Sequence, residues 1–154
     1  MKMRLELAKV SPAAYRAMLR FESFVNKSSK LEVSLLDLVK MRACQINGCA
    51  FSVDMHYKDA SVNGETEQRF YALSTWRGTS FFTNRERAAL AWTEALTLIT
   101  EGRAPDEVYA EVRKEFGEKE LVNLSLAIIT INGWNRLAIG FRKLPGEYQP
   151  HKTG

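Results

Sequence analysis

Hydrophobic residues recur along most of this chain at the three- to four-residue spacing of an amphipathic helix. Ser11 and Pro12 supply an N-cap hydroxyl and a proline at the first helical position, so a helix is predicted over residues 12–26. A second helix is predicted over residues 34–47 and a third over residues 49–63. An Asn-Gly step ends each of the last two, as is typical of helix C-termini.

The middle of the chain carries further start and stop patterns of the same kind. Residues 66–76 form a short predicted helix. Thr83 and Glu86 have the spacing of a capping box, and an apolar stripe follows them, which predicts a helix over residues 83–102. A proline at the start and a glycine at the end delimit another helix over residues 105–117.

The segment of residues 121–137 is the most ambiguous, because its apolar run from Leu126 to Ile131 has the composition of a buried strand. No turn residue interrupts the longer apolar pattern, so a buried helix is predicted. The chain is therefore expected to be all-α, with one helical domain over residues 1–144. The Gly, Pro and Lys content of residues 145–154 predicts an extended or mobile tail.

Composition sets limits on function. The 154 residues suffice for one domain, with 45% hydrophobic and 26% charged residues. The net charge of +4 is spread without a basic run, which argues against nucleic-acid binding. No apolar stretch approaches the length of a membrane span or a signal-peptide core, so a cytoplasmic protein without membrane contact is expected. In that setting two cysteines are expected to be free, catalytic or redox-active.

The residues with the most chemical content lie between positions 47 and 56. At about 100° per residue, Cys49, Ser52 and His56 fall within about 60° of one another on one helix face. Cys49 is predicted at the start of its helix, where free N–H groups and the helix dipole favour a thiolate. His56 can accept or donate a proton there. Asp37 precedes Cys49 by twelve residues, so an antiparallel helix pair can carry its carboxylate toward His56.

This pattern resembles that of the alkylhydroperoxidase D-like branch of the carboxymuconolactone decarboxylase family. Members carry an acidic residue and then, after eleven residues, Cys-x-x-Cys-x-x-x-His, commonly with Asn-Gly before the first cysteine. The corresponding positions here are Asp37, Asn47, Gly48, Cys49, Ser52 and His56. Segments 86–95 and 131–136 also resemble one branch of the family, so the likeness covers most of the chain.

The resemblance implies a helical bundle that assembles into a homo-oligomer, a trimer or hexamer. It implies a thiol-dependent peroxidase or disulfide reductase that acts on a peroxide or disulfide and takes electrons from an external thiol or dithiol. Neither a bound cofactor nor a metal is expected. The implied catalytic residues are Cys49, Ser52, His56 and Asp37, with Asp37 orienting His56.

Two positions depart from the family pattern. Asp37 stands where Glu is usual, which shortens the side chain by one methylene. Ser52 stands where the second cysteine is usual, and a hydroxyl cannot form a disulfide. Ser52 is an engineered replacement, or a natural residue of a one-cysteine site, or a mark of lost redox function. Oxidised Cys49 is then expected to persist as a sulfenic acid or a mixed disulfide.

Other interpretations stay open at this stage. Cys44 is interpreted as a small buried hydrophobic residue, with a role as surrogate partner of Cys49 as the alternative. For the whole chain, one alternative is a redox-inactive or redox-sensing helical oligomer. The other is an enzyme of the carboxymuconolactone decarboxylase type.

Overall fold

A computed structural model of the chain describes residues 1–150. Within this range the chain is all-helical and contains no β-strand, as the sequence predicted. Its nine α-helices are α1 (Leu7–Val10), α2 (Pro12–Ser23), α3 (Val33–Asn47), α4 (Ala50–Val62), α5 (Glu67–Ala72), α6 (Asn84–Thr97), α7 (Ile99–Gly102), α8 (Asp106–Glu115) and α9 (Glu118–Phe141). A π-helical turn (Phe24–Ser28) follows α2, and a 3-10 segment (Leu73–Gly78) follows α5.

The local capping patterns place most helix ends close to where the sequence predicted them. Thr83 forms the predicted capping box, since its hydroxyl accepts from the Glu86 N–H at 3.2 Å and the Glu86 carboxylate accepts from the Thr83 N–H at 2.8 Å. The helix predicted over residues 83–102 is divided at Leu98, whose backbone is not helical (φ −98°, ψ 41°). The first predicted helix ends at Ser23 as an α-helix, and its last turn is π-helical.

The apolar run before residue 132 lies inside α9, the longest helix, so the choice of a helix over a strand is confirmed. Apolar residues occupy consecutive positions because more than one face of this helix is apolar. Leu124, Ala127 and Ile128 are buried in the main core, whereas Val122 and Ile129 are exposed. A continuous apolar run therefore came from burial on one face combined with an exposed apolar stripe on another.

Helix α3 is the centre of the molecule and packs against α4, α6 and α9, while α6 also packs against α8 and α9. One apolar core fills the space between α3, α6, α8 and α9, and a second lies between α3, α4, α5 and the 3-10 segment. Nine residues of α3 are buried. The C-terminal end of α3, where the sequence predicts the functional residues, is thus held from three sides.

The segment of residues 145–150 forms no helix and lies against α4. The Lys58 ammonium donates to the Gly146 and Tyr148 carbonyls at 3.3 and 3.1 Å. The Tyr148 hydroxyl donates to Asp59 at 2.6 Å. The remainder of the predicted tail, residues 151–154, lies outside the described residues. No helix within residues 1–150 is both long enough and apolar enough to cross a membrane.

Candidate active site

The turn between α3 and α4 places Cys49 at the start of α4. Gly48 adopts the left-handed conformation (φ 66°, ψ 33°), which costs glycine little. Its N–H donates to the Gln45 carbonyl at 3.3 Å, and the Cys49 N–H donates to the Cys44 carbonyl at 3.1 Å. These two bonds form a Schellman motif that ends α3. Cys49 is then the extended N-cap residue of α4 (φ −85°, ψ 90°), at the predicted helix start.

Cys49 and Ser52 contact each other directly. The Cys49 thiol donates a hydrogen bond to the Ser52 hydroxyl oxygen over 3.1 Å. Each residue is only 2% exposed, and His56, one helical turn beyond Ser52, is 6% exposed. The predicted helix face therefore exists as a buried stripe of a thiol, a hydroxyl and an imidazole.

His56 is held in its neutral form. Burial, together with the positive charge of Lys40, lowers the pKa of its imidazole to about 3. Its Nε2 is buried and has no hydrogen-bond partner among residues 1–150. A neutral imidazole with an unpaired nitrogen can accept a hydrogen bond or relay a proton, but a pKa this low makes it too weak a base to hold that proton at physiological pH.

Asp37 lies on α3 near this stripe, but its hydrogen bond goes elsewhere. Its carboxylate accepts from the Asn63 side-chain amide at the end of α4, over 3.3 Å. Burial raises the pKa of the Asp37 carboxyl, and the Asn63 bond and the Lys40 charge partly offset the rise. No hydrogen bond joins Asp37 to His56 within the described part of the chain. The orienting role that the resemblance implies for Asp37 therefore involves no direct bond to His56 in this structure.

Lys40, which the sequence interpretation did not include, is the charged neighbour of His56. It is 9% exposed, and its ammonium donates to the Asn26 side-chain carbonyl. Burial lowers the pKa of Lys40, and the carboxylates of Glu22, Asp37 and Asp59 oppose that change. The sequence could have indicated Lys40, because it follows Asp37 by three residues and therefore lies on the same face of the helix. Its position near Glu22 of α2 and Asp59 of α4 could not be predicted, because it depends on tertiary packing.

A ladder of asparagine side chains anchors the turn before Cys49 to α9. The Asn47 amide donates to Asn132 Oδ1 at 3.0 Å and to Asn135 Oδ1 at 2.9 Å. The Asn135 amide in turn donates to the Cys44 sulfur at 3.3 Å. The sequence singled out segment 131–136 without a role for it, and its asparagines fix the position of the α3–α4 turn.

A second lysine lies near the thiol. The Lys143 ammonium is 4.0 Å from the centre of the Phe51 ring, in the first turn of α4. Burial lowers the pKa of Lys143, whereas Glu6 and Cys49 act in the opposite direction. No pattern in the sequence predicted that a residue 94 positions after Cys49 would lie near it.

Metal binding has no support from the arrangement. Among the described residues no group of three or more His, Cys, Asp or Glu side chains could hold a metal ion. The groups that the structure brings together at this site are the thiol, the hydroxyl, the imidazole and the two lysines around them.

Comparison with known proteins assigns the family. Residues 12–95 match the model of the carboxymuconolactone decarboxylase family, which covers more than half of the chain. The uncharacterised protein YdfG of Bacillus subtilis is 41% identical over 139 residues, which is 90% of this chain and 94% of YdfG. The chain belongs to the carboxymuconolactone decarboxylase family, in its alkylhydroperoxidase D-like branch.

Two solved structures share the fold. The crystal structure of a protein of unknown function from Agrobacterium tumefaciens, provisionally described as the antioxidant defence protein AhpD, has a TM-score of 0.92 and 43% identity. The match covers 96% of this chain and all of that one. An uncharacterised peroxidase-related protein from Ralstonia eutropha with an AhpD core has a TM-score of 0.79 over 91% of this chain and 74% of that one. At 13% identity, the Ralstonia protein shows the fold alone.

Proposed function

We propose that the protein is a thiol-dependent peroxidase or disulfide reductase whose reactive group is Cys49. The observation that carries the proposal is the Cys49 to Ser52 hydrogen bond at a helix start, one turn before a neutral, unpaired histidine. A cysteine that served only to fill the core would not require these polar neighbours, since burying polar groups is unfavourable.

In the proposed reaction the Cys49 thiolate attacks the outer oxygen of a hydroperoxide. An S–O bond forms, the O–O bond breaks, and an alcohol or water leaves with a proton. The N-terminus of α4 stabilises the negative charge on sulfur. The Ser52 hydroxyl accepts the hydrogen bond of the thiol, and the neutral His56 takes the proton only transiently on its way to the leaving oxygen, because a pKa of about 3 prevents the imidazole from holding it.

In this proposal the charge of Lys40 acts on His56, and the charge of Asp37 acts on Lys40. Lys40 disfavours a second positive charge on the imidazole, and Asp37 helps to keep Lys40 charged. Asp37 is therefore a positioning residue that acts through Lys40.

The relatives support a redox function of this kind. The Agrobacterium protein, 43% identical over nearly the whole chain, is provisionally assigned to antioxidant defence. The oxidant is a small peroxide or a disulfide, because the reactive sulfur is 2% exposed and admits only a small group without local opening. The electrons come from an external thiol or dithiol.

Peroxide consumption in the presence of excess dithiol tests the function. We expect turnover by the natural chain, none above background for Cys49→Ser, and a fall of about 10²-fold or more for His56→Gln. Asp37→Asn should lower the rate less, because it acts through Lys40. Equal rates for the natural chain and Cys49→Ser would contradict the proposal.

We further propose that the protein forms a homo-oligomer through α9. Val122 and Ile129 are 59% and 53% exposed, and Leu126 and Gly133 continue their stripe at helix-packing spacing. Apolar residues at this spacing are typical of faces that pack against another helix. Light scattering should give a trimer or hexamer, and Ile129→Lys should dissociate it. A monomeric natural chain at micromolar concentration would contradict this.

A further inference from the structure

We propose that Cys44 is the resolving thiol of this site and forms an intramolecular disulfide with oxidised Cys49. Cys44 would thereby supply the second sulfur that a Cys-x-x-Cys pair has at position 52. This inference rests on the proposed function, because it needs Cys49 to be the sulfur that is oxidised. It also replaces the expectation that oxidised Cys49 persists as a sulfenic acid.

The backbone already brings the two cysteines together. The Schellman motif at the end of α3 joins the Cys49 N–H to the Cys44 carbonyl at 3.1 Å, around the left-handed Gly48. The side chains at these two positions of the motif commonly contact each other. A disulfide requires Cα atoms about 4.4–6.8 Å apart, and a turn closed by this hydrogen bond holds its two ends close enough to approach that range.

The two sulfurs also share a polar neighbour. The Ser52 hydroxyl accepts from Cys49 at 3.1 Å, and the same hydroxyl acts to lower the pKa of the Cys44 thiol. The Asn135 amide donates to the Cys44 sulfur from the opposite helix. Cys44 is completely buried, but it is not surrounded only by apolar groups. This separates it from a cysteine that merely fills the core.

The chemistry balances without any further reactant. Peroxide first converts the Cys49 thiolate into a sulfenic acid, and an alcohol or water leaves. The Cys44 sulfur then attacks the Cys49 sulfur, so that an S–S bond forms and the S–O bond breaks. The departing hydroxide takes the Cys44 proton and leaves as water. An external dithiol reduces the disulfide and restores both thiols.

The environment of Cys44 determines the rate at which its sulfur attacks oxidised Cys49. Burial raises the pKa of the Cys44 thiol to about 12, although Asn135, Ser52 and Lys40 oppose the rise. The thiolate is the attacking form, so disulfide formation should accelerate as the pH is raised from 7 to 9. The charge of Cys49 contributes to the raised value. That contribution disappears once Cys49 is oxidised to a neutral sulfenic acid, which makes Cys44 easier to deprotonate when it is needed.

Mass spectrometry of the full-length protein after treatment with hydrogen peroxide tests the inference. Both cysteines lie within residues 43–58, a stretch without internal Lys or Arg, so trypsin releases them in one peptide. We expect that peptide from the natural chain to be lighter by two hydrogens and to regain them with a dithiol. In Cys44→Ser, and in Cys44→Ala as a second variant, dimedone should instead label Cys49 as the sulfenic acid.

Each other outcome overturns a distinct statement. Equal dimedone labelling of Cys49 in the natural chain and in Cys44→Ser would overturn the role of Cys44 and leave the function of Cys49 intact. Two peptides joined by a disulfide would also overturn it, because the bond would then lie between molecules. If Cys49 resists peroxide in both proteins while circular dichroism confirms that they are folded, the proposed function itself fails, and the inference fails with it.

Discussion

The thiol of Cys49 lies 3.1 Å from the hydroxyl of Ser52, within the first turn of α4. A hydrogen bond thus occupies the place where relatives with a second cysteine can form a bond between two sulfurs. The residues on both sides of this pair hold it in place, since Gly48 sets the turn before it and α4 continues after it.

Ser52→Cys is expected to form a disulfide between Cys49 and the introduced thiol. Residues three apart at a helix start can approach disulfide geometry with a small local adjustment. Peroxide consumption with excess dithiol should then rise about tenfold or more above that of the present chain, because a thiol at position 52 lies beside Cys49, whereas burial raises the pKa of the Cys44 thiol to about 12 and slows its attack. Mass spectrometry of the oxidised tryptic peptide detects the new bond when Ser52→Cys is combined with Cys44→Ser, because all three positions lie in one peptide, and a peroxide assay measures the turnover.

The matched control is Ser52→Ala, which removes the hydrogen bond without adding a thiol. It should give no gain in turnover and no new disulfide. If Ser52→Cys forms no intramolecular bond and consumes peroxide no faster than the natural chain, position 52 has no redox role.

The stability of the protein should fall in acid through His56. Its pKa is lowered by burial to about 3 in the folded chain and is about 6.5 when unfolded, so between these values only the unfolded chain binds the proton. The folded state therefore gains stability as pH rises through this window and gains no more from His56 above it. From pH 7 to pH 5 the contribution to the free energy of unfolding falls by about 2 kcal/mol.

Urea unfolding of the natural chain and of His56→Gln at both pH values isolates this contribution. The comparison is needed because the raised pKa values of Asp37 and Glu22 act in the opposite direction. The natural chain should lose about 2 kcal/mol more than the variant on acidification. Equal losses in the two proteins would mean that His56 is not buried as a neutral group.

Lys143 should speed the reaction of Cys49 with iodoacetamide. Its ammonium lies over the Phe51 ring and is influenced by charge on Cys49, so it attracts the thiolate. A partly exposed charge pair is worth about 0.5–1 kcal/mol, which corresponds to about a threefold slower alkylation in Lys143→Met. Lys143→Arg should retain most of the rate, and Lys119→Met, at an exposed site, provides the same change in net charge. Equal slowing in both Met variants would show only a general charge effect.

Substitution of Gly48 should destabilise the protein through the backbone conformation alone. A Cβ at this position meets no atom within 4 Å, but φ is 66°. Gly48→Ala should therefore lower the free energy of unfolding by about 1–2 kcal/mol, and Gly48→Asn by clearly less, because Asn tolerates this conformation. Urea midpoints measure the difference. Equal losses would indicate that side-chain crowding and not the backbone limits this turn.

The helices could be predicted from sequence because their ends depend on local chemistry. Pro12, the capping box at Thr83 and the Asn-Gly step before Cys49 each act within a few residues of the end they define. The stripe of Cys49, Ser52 and His56 was predictable for the same reason. It depends only on the period of one helix.

The partners of that stripe could not be predicted, because they come from elements distant in the chain. Asp37 was expected to orient His56, and the Asn63 amide at the end of α4, which donates to its carboxylate, was not foreseen. Lys40 reaches His56 only because α2 and α4 enclose it, and Asn135 reaches Cys44 across 91 positions. The local pattern identified the reactive groups, and the packing of α2 and α9 determined what surrounds them.

The central claim is that the fold activates Cys49, and one comparison tests it most directly. The rate at which hydrogen peroxide removes the Cys49 thiol should be measured in the native protein and in the same protein unfolded in urea, at the same pH. A fold that stabilises the thiolate and supplies a proton acceptor makes the native rate exceed the unfolded rate, despite the 2% exposure of Cys49. A native rate equal to or below the unfolded rate would contradict the claim, because that is the behaviour of a cysteine that is only buried.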